Sequence, residues 1–298
     1  MLEAYFKTFP IIAIFLLGFF LKRLKVFKPD DGGVLLKLLF FIVSPALIYL
    51  ATSSLEITPK LLSFPLIAAT TMFTIYFFNL FATKYFNVPR KTLGVYMIGT
   101  LIANTGFTLP FLLATHGLGA AARVAMWDLT GGFLTFVFVY SLAVKYGDKR
   151  PSNKFIVQKI LISPPVWALF TGLLVNFANF QTPEIVLSVF KNISSAYTPL
   201  IMLALGFYFD LKISLPKHVV AGLLTRMLGG FIIGLSLSYV FKLDAQDRLI
   251  TIICASAPIG FNTLTFSKME KLDTQFAASL VSGGILVGLF LVPLLTAF

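Results

Sequence analysis

The stretch ICASAPIGFNTLTFS, Ile253–Ser267, lies in an apolar run, yet Pro258, Gly260, Asn262, Thr263 and Thr265 all fall within eight of its residues. Backbone groups left unpaired in hydrocarbon cost several kcal/mol each, so such an interruption persists only where it is buried in protein or lines a wet cavity. That the surroundings are hydrocarbon follows from composition. Of 298 residues, 58% are hydrophobic and 12% charged, and the mean hydropathy is +0.91. Those values lie outside the range of soluble domains and define an all-α integral membrane protein.

The net charge of +12 does not describe a nucleic-acid patch. Lys and Arg occur in short clusters between apolar runs, where they act as orientation signals and contact the lipid bilayer. With one cysteine, Cys254, the chain has neither a disulfide framework nor a thiolate metal site. The opening MLEAYFKTFPIIAIFLLGFFLKRLK places its basic cluster after the apolar run, which reads as a first transmembrane helix and not a secretory leader.

A bilayer core asks for roughly 20 apolar residues per helix. Ten segments meet that requirement, near 5–22, 33–54, 63–83, 93–115, 121–145, 155–178, 184–209, 218–241, 249–267 and 275–297. With the N-terminus outside, sixteen of the 24 Lys and Arg residues fall in inner loops. The positive-inside rule therefore predicts a multi-pass protein of the cell membrane with both termini extracytoplasmic.

The chain also repeats itself. Pro10 and Pro164, Gly18 and Gly172, Pro45 and Pro199, and Gly106-Phe107 and Gly260-Phe261 are each separated by 154 residues. A five-helix unit, 1–146, followed by a second, 155–298, enters the membrane from opposite faces, because five is odd. Inverted repeats of this kind build secondary transporters, with the site near the midplane between corresponding interrupted helices.

Helices four and nine are those helices. The fourth contains Asn104, Thr105, Gly106, Thr108 and Pro110; the ninth contains Pro258, Gly260, Asn262, Thr263 and Thr265. Pro110 and Pro258 remove backbone donors, and the glycines admit unusual backbone angles. Half-helix N-termini then present amides and a positive dipole end to an anion, which Asn and Thr side chains orient. Two charges are expected deep in the membrane, Asp128 in helix five and Arg226 in helix eight, as coupling or charge-compensating groups. They could pair with each other, Asp128 could carry a proton, or Arg226 could face a substrate carboxylate.

Signals for an enzyme are missing from the sequence: there is no HExxH, GxSxG or Walker loop. No cofactor is called for, and H+ or Na+ is left open as coupling ion.

FIVSPALIYLATSSL in helix two, ISPPVWALFTGLL in helix six, TPLIMLALGFYFDL in helix seven and APIGFNTLTFSK in helix nine resemble the auxin efflux carrier family, which includes PIN-formed carriers and bacterial malate and malonate carriers. The resemblance spans the chain. It implies a fold like that of the bile-acid sodium symporters and NhaA-like antiporters. Helices one, two, six and seven would form a scaffold, often dimeric, and helices three to five and eight to ten a transport domain. It carries the family's site onto Asn104, Pro110, Pro258 and Gly260. Thr108 stands where a glycine is common, and Thr263 where plant carriers have a proline. The halves are joined only by KYGDKRPSNK, as in a prokaryotic member without the long cytoplasmic loop. The expected function is elevator-type secondary transport of a small organic anion, a carboxylate, by a homodimer. A sodium-coupled symporter of the bile-acid type is the alternative.

Overall fold

The structure is a computed structural model that describes residues 2–28, 31–55, 58–147 and 163–297 of the chain. Most of the expected inter-repeat linker, from residue 148 on, and the start of the expected helix at 155–178 lie outside the described residues. Among those residues all regular structure is helical, apart from one isolated β-bridge. The helices are α1 (Leu2–Arg23), α2 (Asp31–Leu38), α3 (Ser44–Ser53), α4 (Ser63–Ala82), α5 (Arg90–Gly99), α6 (Thr105–Leu134) and α7 (Tyr140–Tyr146) in the first half. The second half contains α8 (Pro164–Phe177), α9 (Glu184–Ser195), α10 (Tyr197–Tyr208), α11 (Pro216–Leu223), α12 (Gly229–Val240), α13 (Ala245–Ala255), α14 (Asn262–Met269) and α15 (Thr274–Thr296).

Among the described residues, six continuous runs are long and apolar enough to cross a membrane: Asp31–Ser53, Lys60–Tyr85, Thr105–Tyr146, Glu184–Tyr208, Pro216–Val240 and Thr274–Thr296. The expected fourth and ninth segments are not among them because each is broken. α5 has 10 residues, α13 has 11 and α14 has 8. At 1.5 Å per residue none of these reaches across roughly 30 Å of hydrocarbon alone.

The expected boundary between the fourth and fifth segments is met at Gly117. The helix assigned across Thr105–Leu134 contains one non-helical residue, Gly117, at φ 66° and ψ −160°. A straight helix would set Thr105 and Asp128 roughly 35 Å apart. Instead the Thr105 hydroxyl donates to the Asp128 carboxylate at 2.9 Å. The chain therefore reverses at Gly117, where a side chain on Cβ would be strained by the positive φ.

The repeat-matched prolines outside the two broken helices sit in different settings. Pro10 lies inside α1. Pro164 lies in the first turn of α8, where a missing N–H costs little, whereas Pro45 follows closely on the π-helical turn Leu39–Val43 inside the continuous run Asp31–Ser53.

Glycines set the closest helix contacts. A Cβ on Gly206 of α10 would sit 2.4 Å from the Phe15 carbonyl oxygen of α1, and one on Gly18 would sit 2.6 Å from that of Leu203. These obstacles are backbone and cannot rotate away. Gly206→Ala should therefore lower the melting temperature of the purified protein, at a cost of about 1–3 kcal/mol for overpacking. Gly132→Ala, where nothing lies within 4 Å, should leave it unchanged or raise it; equal losses in both would refute this packing.

Candidate functional site

The two breaks face each other. α5 stops at Gly99, α13 stops at Ala255, and the unwound segments that follow cross as an antiparallel bridge between Ala103 and Ile259. The Asn104 amide donates to the Pro258 carbonyl at 2.7 Å, and the Gly260 amide donates to the Ile102 carbonyl at 2.9 Å. Each break thus satisfies backbone groups that the other leaves open. Gly260 is required by proximity, since a Cβ there would lie 2.6 Å from the Ile102 side chain and 3.2 Å from the Ala103 carbonyl oxygen.

Charge is distributed over the ends of the half-helices. Asn104 caps α6, its Oδ1 accepting from the Phe107 amide at 3.1 Å. The carboxylate of Asp128, bonded to Thr105, sits at that same N-terminus, where the helix dipole favours an anion. Asp128 is exposed, and it lines the cavity.

At the opposite pole of the crossing, Arg226 is 2% exposed and donates through Nε to the Ala257 carbonyl at 3.2 Å and through Nη2 to that of Ala255. These are carbonyls at and just beyond the C-terminal end of α13, which favours a cation. Asp128 and Arg226 therefore serve opposite helix ends. An ion pair lies elsewhere, between Arg123 and Asp247.

A cavity of about 480 Å³ reaches this crossing. Of the residues singled out from sequence, Thr105, Gly106, Asn262, Asp128 and Arg226 line it. Asn104, Thr108, Pro110, Pro258, Gly260 and Thr263 are instead packed around the crossing, and Thr265 is exposed on another face of α14. Other contributors were missed. Tyr197 of α10, Thr71 of α4, and Ser44 and Trp127 also form the wall. The Tyr197 hydroxyl lies 3.7 Å from where a Cβ on Gly106 would be. Nothing in the local sequence of Tyr197 or Thr71 marks them, since neither adjoins a break. The sole signal is that Pro199, two residues on, matches Pro45 across the repeat.

The second N-terminus at the crossing differs from the first. No side chain caps the start of α14 by hydrogen bond, and Asn262, its first residue, lines the cavity.

Long apolar helices, crossed half-helices and an internal cavity at their meeting point define a multi-pass membrane transport protein. The comparisons with known proteins narrow this class. Residues 148–296 match the family described as Membrane transport protein. The chain is 23% identical over 280 residues to an uncharacterized transporter of Methanocaldococcus jannaschii, covering 90% of each chain. It is 25% identical over 296 residues to another of Methanothermobacter thermautotrophicus, covering 95% of this chain and 94% of that one. The chain belongs to the membrane transport protein family, the auxin efflux carriers, among its prokaryotic members.

Arg226→Met should destabilise the protein although it removes a buried charge, because the carbonyls of Ala255 and Ala257 remain buried and lose their donor. Each unpaired group costs about 1–3 kcal/mol. Arg226→Lys, which retains a donor without the two-pronged geometry, should lose less. Melting curves of the three proteins decide, and a Met variant as stable as wild type would refute the capping role.

Proposed function

We propose that the protein is a secondary carrier of a small organic anion, a carboxylate, whose charged end binds at the N-terminus of α14 beside Asn262. The observation that carries this reading is the inequality of the two half-helix N-termini. That of α6 already has an asparagine cap and a carboxylate, Asp128. That of α14 has no side-chain cap and opens on the cavity. The amides of Thr263, Leu264 and Thr265 turn back onto the carbonyls of Gly260 and Phe261, so what attracts an anion is the positive dipole end of α14, where the Asn262 side-chain amide can donate to it. At about 480 Å³, the cavity lies within the roughly 300–1,000 Å³ of small-molecule sites. Its wall is mainly apolar and aromatic, suited to the carbon skeleton of an organic acid.

In this reading α5 with the start of α6, and α13 with α14, are helices four and nine of ten, and the chain is two inverted five-helix repeats. The element order supports it: an offset of 154 residues carries Arg90–Gly99 onto positions 244–253, nearly coincident with Ala245–Ala255. Packing supports a scaffold of helices one, two, six and seven, because α1 lies against α10 and α3 against α8. The remaining helices would move as an elevator against that scaffold in a homodimer.

Two experiments test the proposal. Organic acids are screened by thermal shift, since a ligand stabilises by RT ln(1 + [L]/Kd). For the best hit, Asn262→Ala should lose about 1–3 kcal/mol of binding, which is about 5-fold to 150-fold in affinity. Asn104→Ala should mainly lose stability, about 0.5–2 kcal/mol for a removed cap. Affinity unaltered by Asn262→Ala would overturn the anion site, and uptake that requires sodium would favour the symporter reading.

Topology is tested on a Cys254→Ala background. Single cysteines at the exposed positions Lys60 and Lys191 should react with an impermeant thiol reagent from outside intact cells, and one at Lys25 should not. Outside labelling of Lys25→Cys would invert the orientation.

A further inference from the structure

The cavity at the crossing contains two opposite charges that do not pair with each other. Asp128 is exposed and lines it, and among the described residues Thr105 is the one side chain that donates to its carboxylate. A carboxylate offers about four acceptor positions, so most of that capacity is unused. Among those residues no Lys, Arg or His forms an ion pair with it.

Arg226, in the π-helical turn Leu224–Leu228 that leads into α12, lines the same cavity. Two of its guanidinium nitrogens are engaged, Nε on the Ala257 carbonyl and Nη2 on that of Ala255. The third, Nη1, makes no hydrogen bond within the protein and is not fully buried. It is a charged donor left over for the cavity.

The helix ends do not cancel these charges. Each terminus is equivalent to about half an elementary charge. Asp128 at the start of α6 therefore leaves about half a negative charge on the wall, and Arg226 at the end of α13 about half a positive one. The uncapped start of α14 lies further along the same unwound segment that Arg226 holds, and adds to the positive side. The cavity is thus bipolar, with a negative pole at Asp128 and a positive pole from Arg226 to Asn262.

A solute charged at one end only fits such a wall poorly. A sphere of about 480 Å³ is about 10 Å across, so an anion anywhere in the cavity lies within about that distance of Asp128. At an effective dielectric of about 20, two like unit charges 10 Å apart weaken binding about 15-fold. An ammonium group on the same solute turns that penalty into a gain of similar size.

We infer that the carried acid is an amino acid in the broad sense, a zwitterion whose carboxylate lies at Asn262 and the start of α14 and whose ammonium pairs with Asp128. The inference rests on the anion site proposed above and names the class of solute for it.

Thermal shifts of the purified protein at neutral pH test it with matched probes. Propionate, butyrate and valerate are compared with their α-amino and ω-amino derivatives, and with propylamine, butylamine and pentylamine. For at least one spacing of the two groups, the amino acid should bind about 10-fold more tightly than both the acid and the amine of its chain length. Asp128→Asn should abolish that advantage, weakening the amino acid and tightening the plain acid, whereas Asn262→Ala should weaken both. If Asp128→Asn does not fold, Asp128→Glu, which keeps the charge and advances it by one methylene, should move the optimum to a shorter spacing.

Plain acids that bind the wild type as tightly as every amino acid, as when a proton on Asp128 takes the place of the ammonium, would overturn the inference. So would an amine as tight as the amino acid, an advantage that persists in Asp128→Asn, or an optimum that stays in place in Asp128→Glu. Unaltered acid affinity in Asn262→Ala, with the Asp128 effect intact, would overturn the anion site and uphold the pairing at Asp128. Stabilisation by none of the amino acids would overturn the zwitterion and leave the anion site to the plain acids.

Discussion

Two broken helices can lie inside a membrane only if the groups they expose find each other, and the short antiparallel bridge between residues 103 and 259 is where they do. The bonds from Asn104 to Pro258 and from Gly260 to Ile102 replace helix bonds that the breaks forgo. In hydrocarbon each would otherwise cost several kcal/mol. The requirement explains the residue types at the crossing better than ligand binding does. Pro258 contributes a carbonyl and no donor, and Gly260 permits the approach of Ile102 and Ala103. Neither lines the cavity, so these two residues assemble the site without forming its wall.

The crossing also aligns four helix ends in a small volume, and their partial charges would be costly if left bare. Asp128 and Arg226 compensate one end of each sign, the first through Thr105 and the second through the carbonyls of Ala255 and Ala257. This separates what a surface ion pair would join. With an N-terminus already compensated by the protein and another left open to the cavity, the architecture itself discriminates between places where an anion could sit.

Much of the fold was legible because its signals are local. Mean hydropathy, the spacing of apolar runs and the pairing of Gly106 with Gly260 required no knowledge of packing. The membrane class and the positions of the breaks follow from them. The assignment of individual roles did not, because repeat symmetry makes Asn104 and Asn262 look equivalent. In the structure the Oδ1 of Asn104 accepts from the Phe107 amide and its Nδ2 is buried without a partner, while Asn262 faces the cavity. Thr108 and Thr263 look like ligands by type and are packed away. Tyr197 and Thr71 carry no sign of their position, since the helix face turned to a cavity is a tertiary property. The reversal at Gly117 was anticipated as a boundary between segments, but its result, Asp128 folded back onto the N-terminus of α6, depends on an angle that residue type permits and does not dictate.

The reversal at Gly117 and the crossing differ in when they can form during synthesis. The hairpin from Thr105 to Asp128 closes over 23 residues, so its polar bond is available as soon as both legs have left the ribosome. The carbonyl of Ile102 and the amide of Asn104 must await partners about 150 residues downstream, which at roughly 5–20 residues per second is a delay of about 8 to 30 s. During that interval the first half of the protein holds an open helix break with no partner of its own. It must be shielded by the insertion machinery, by lipid headgroups or by a chaperone, and the newborn chain is most vulnerable to quality control then. A mutation that weakens Gly260 or its neighbours would thus be felt as a loss of yield before it was felt as a loss of transport.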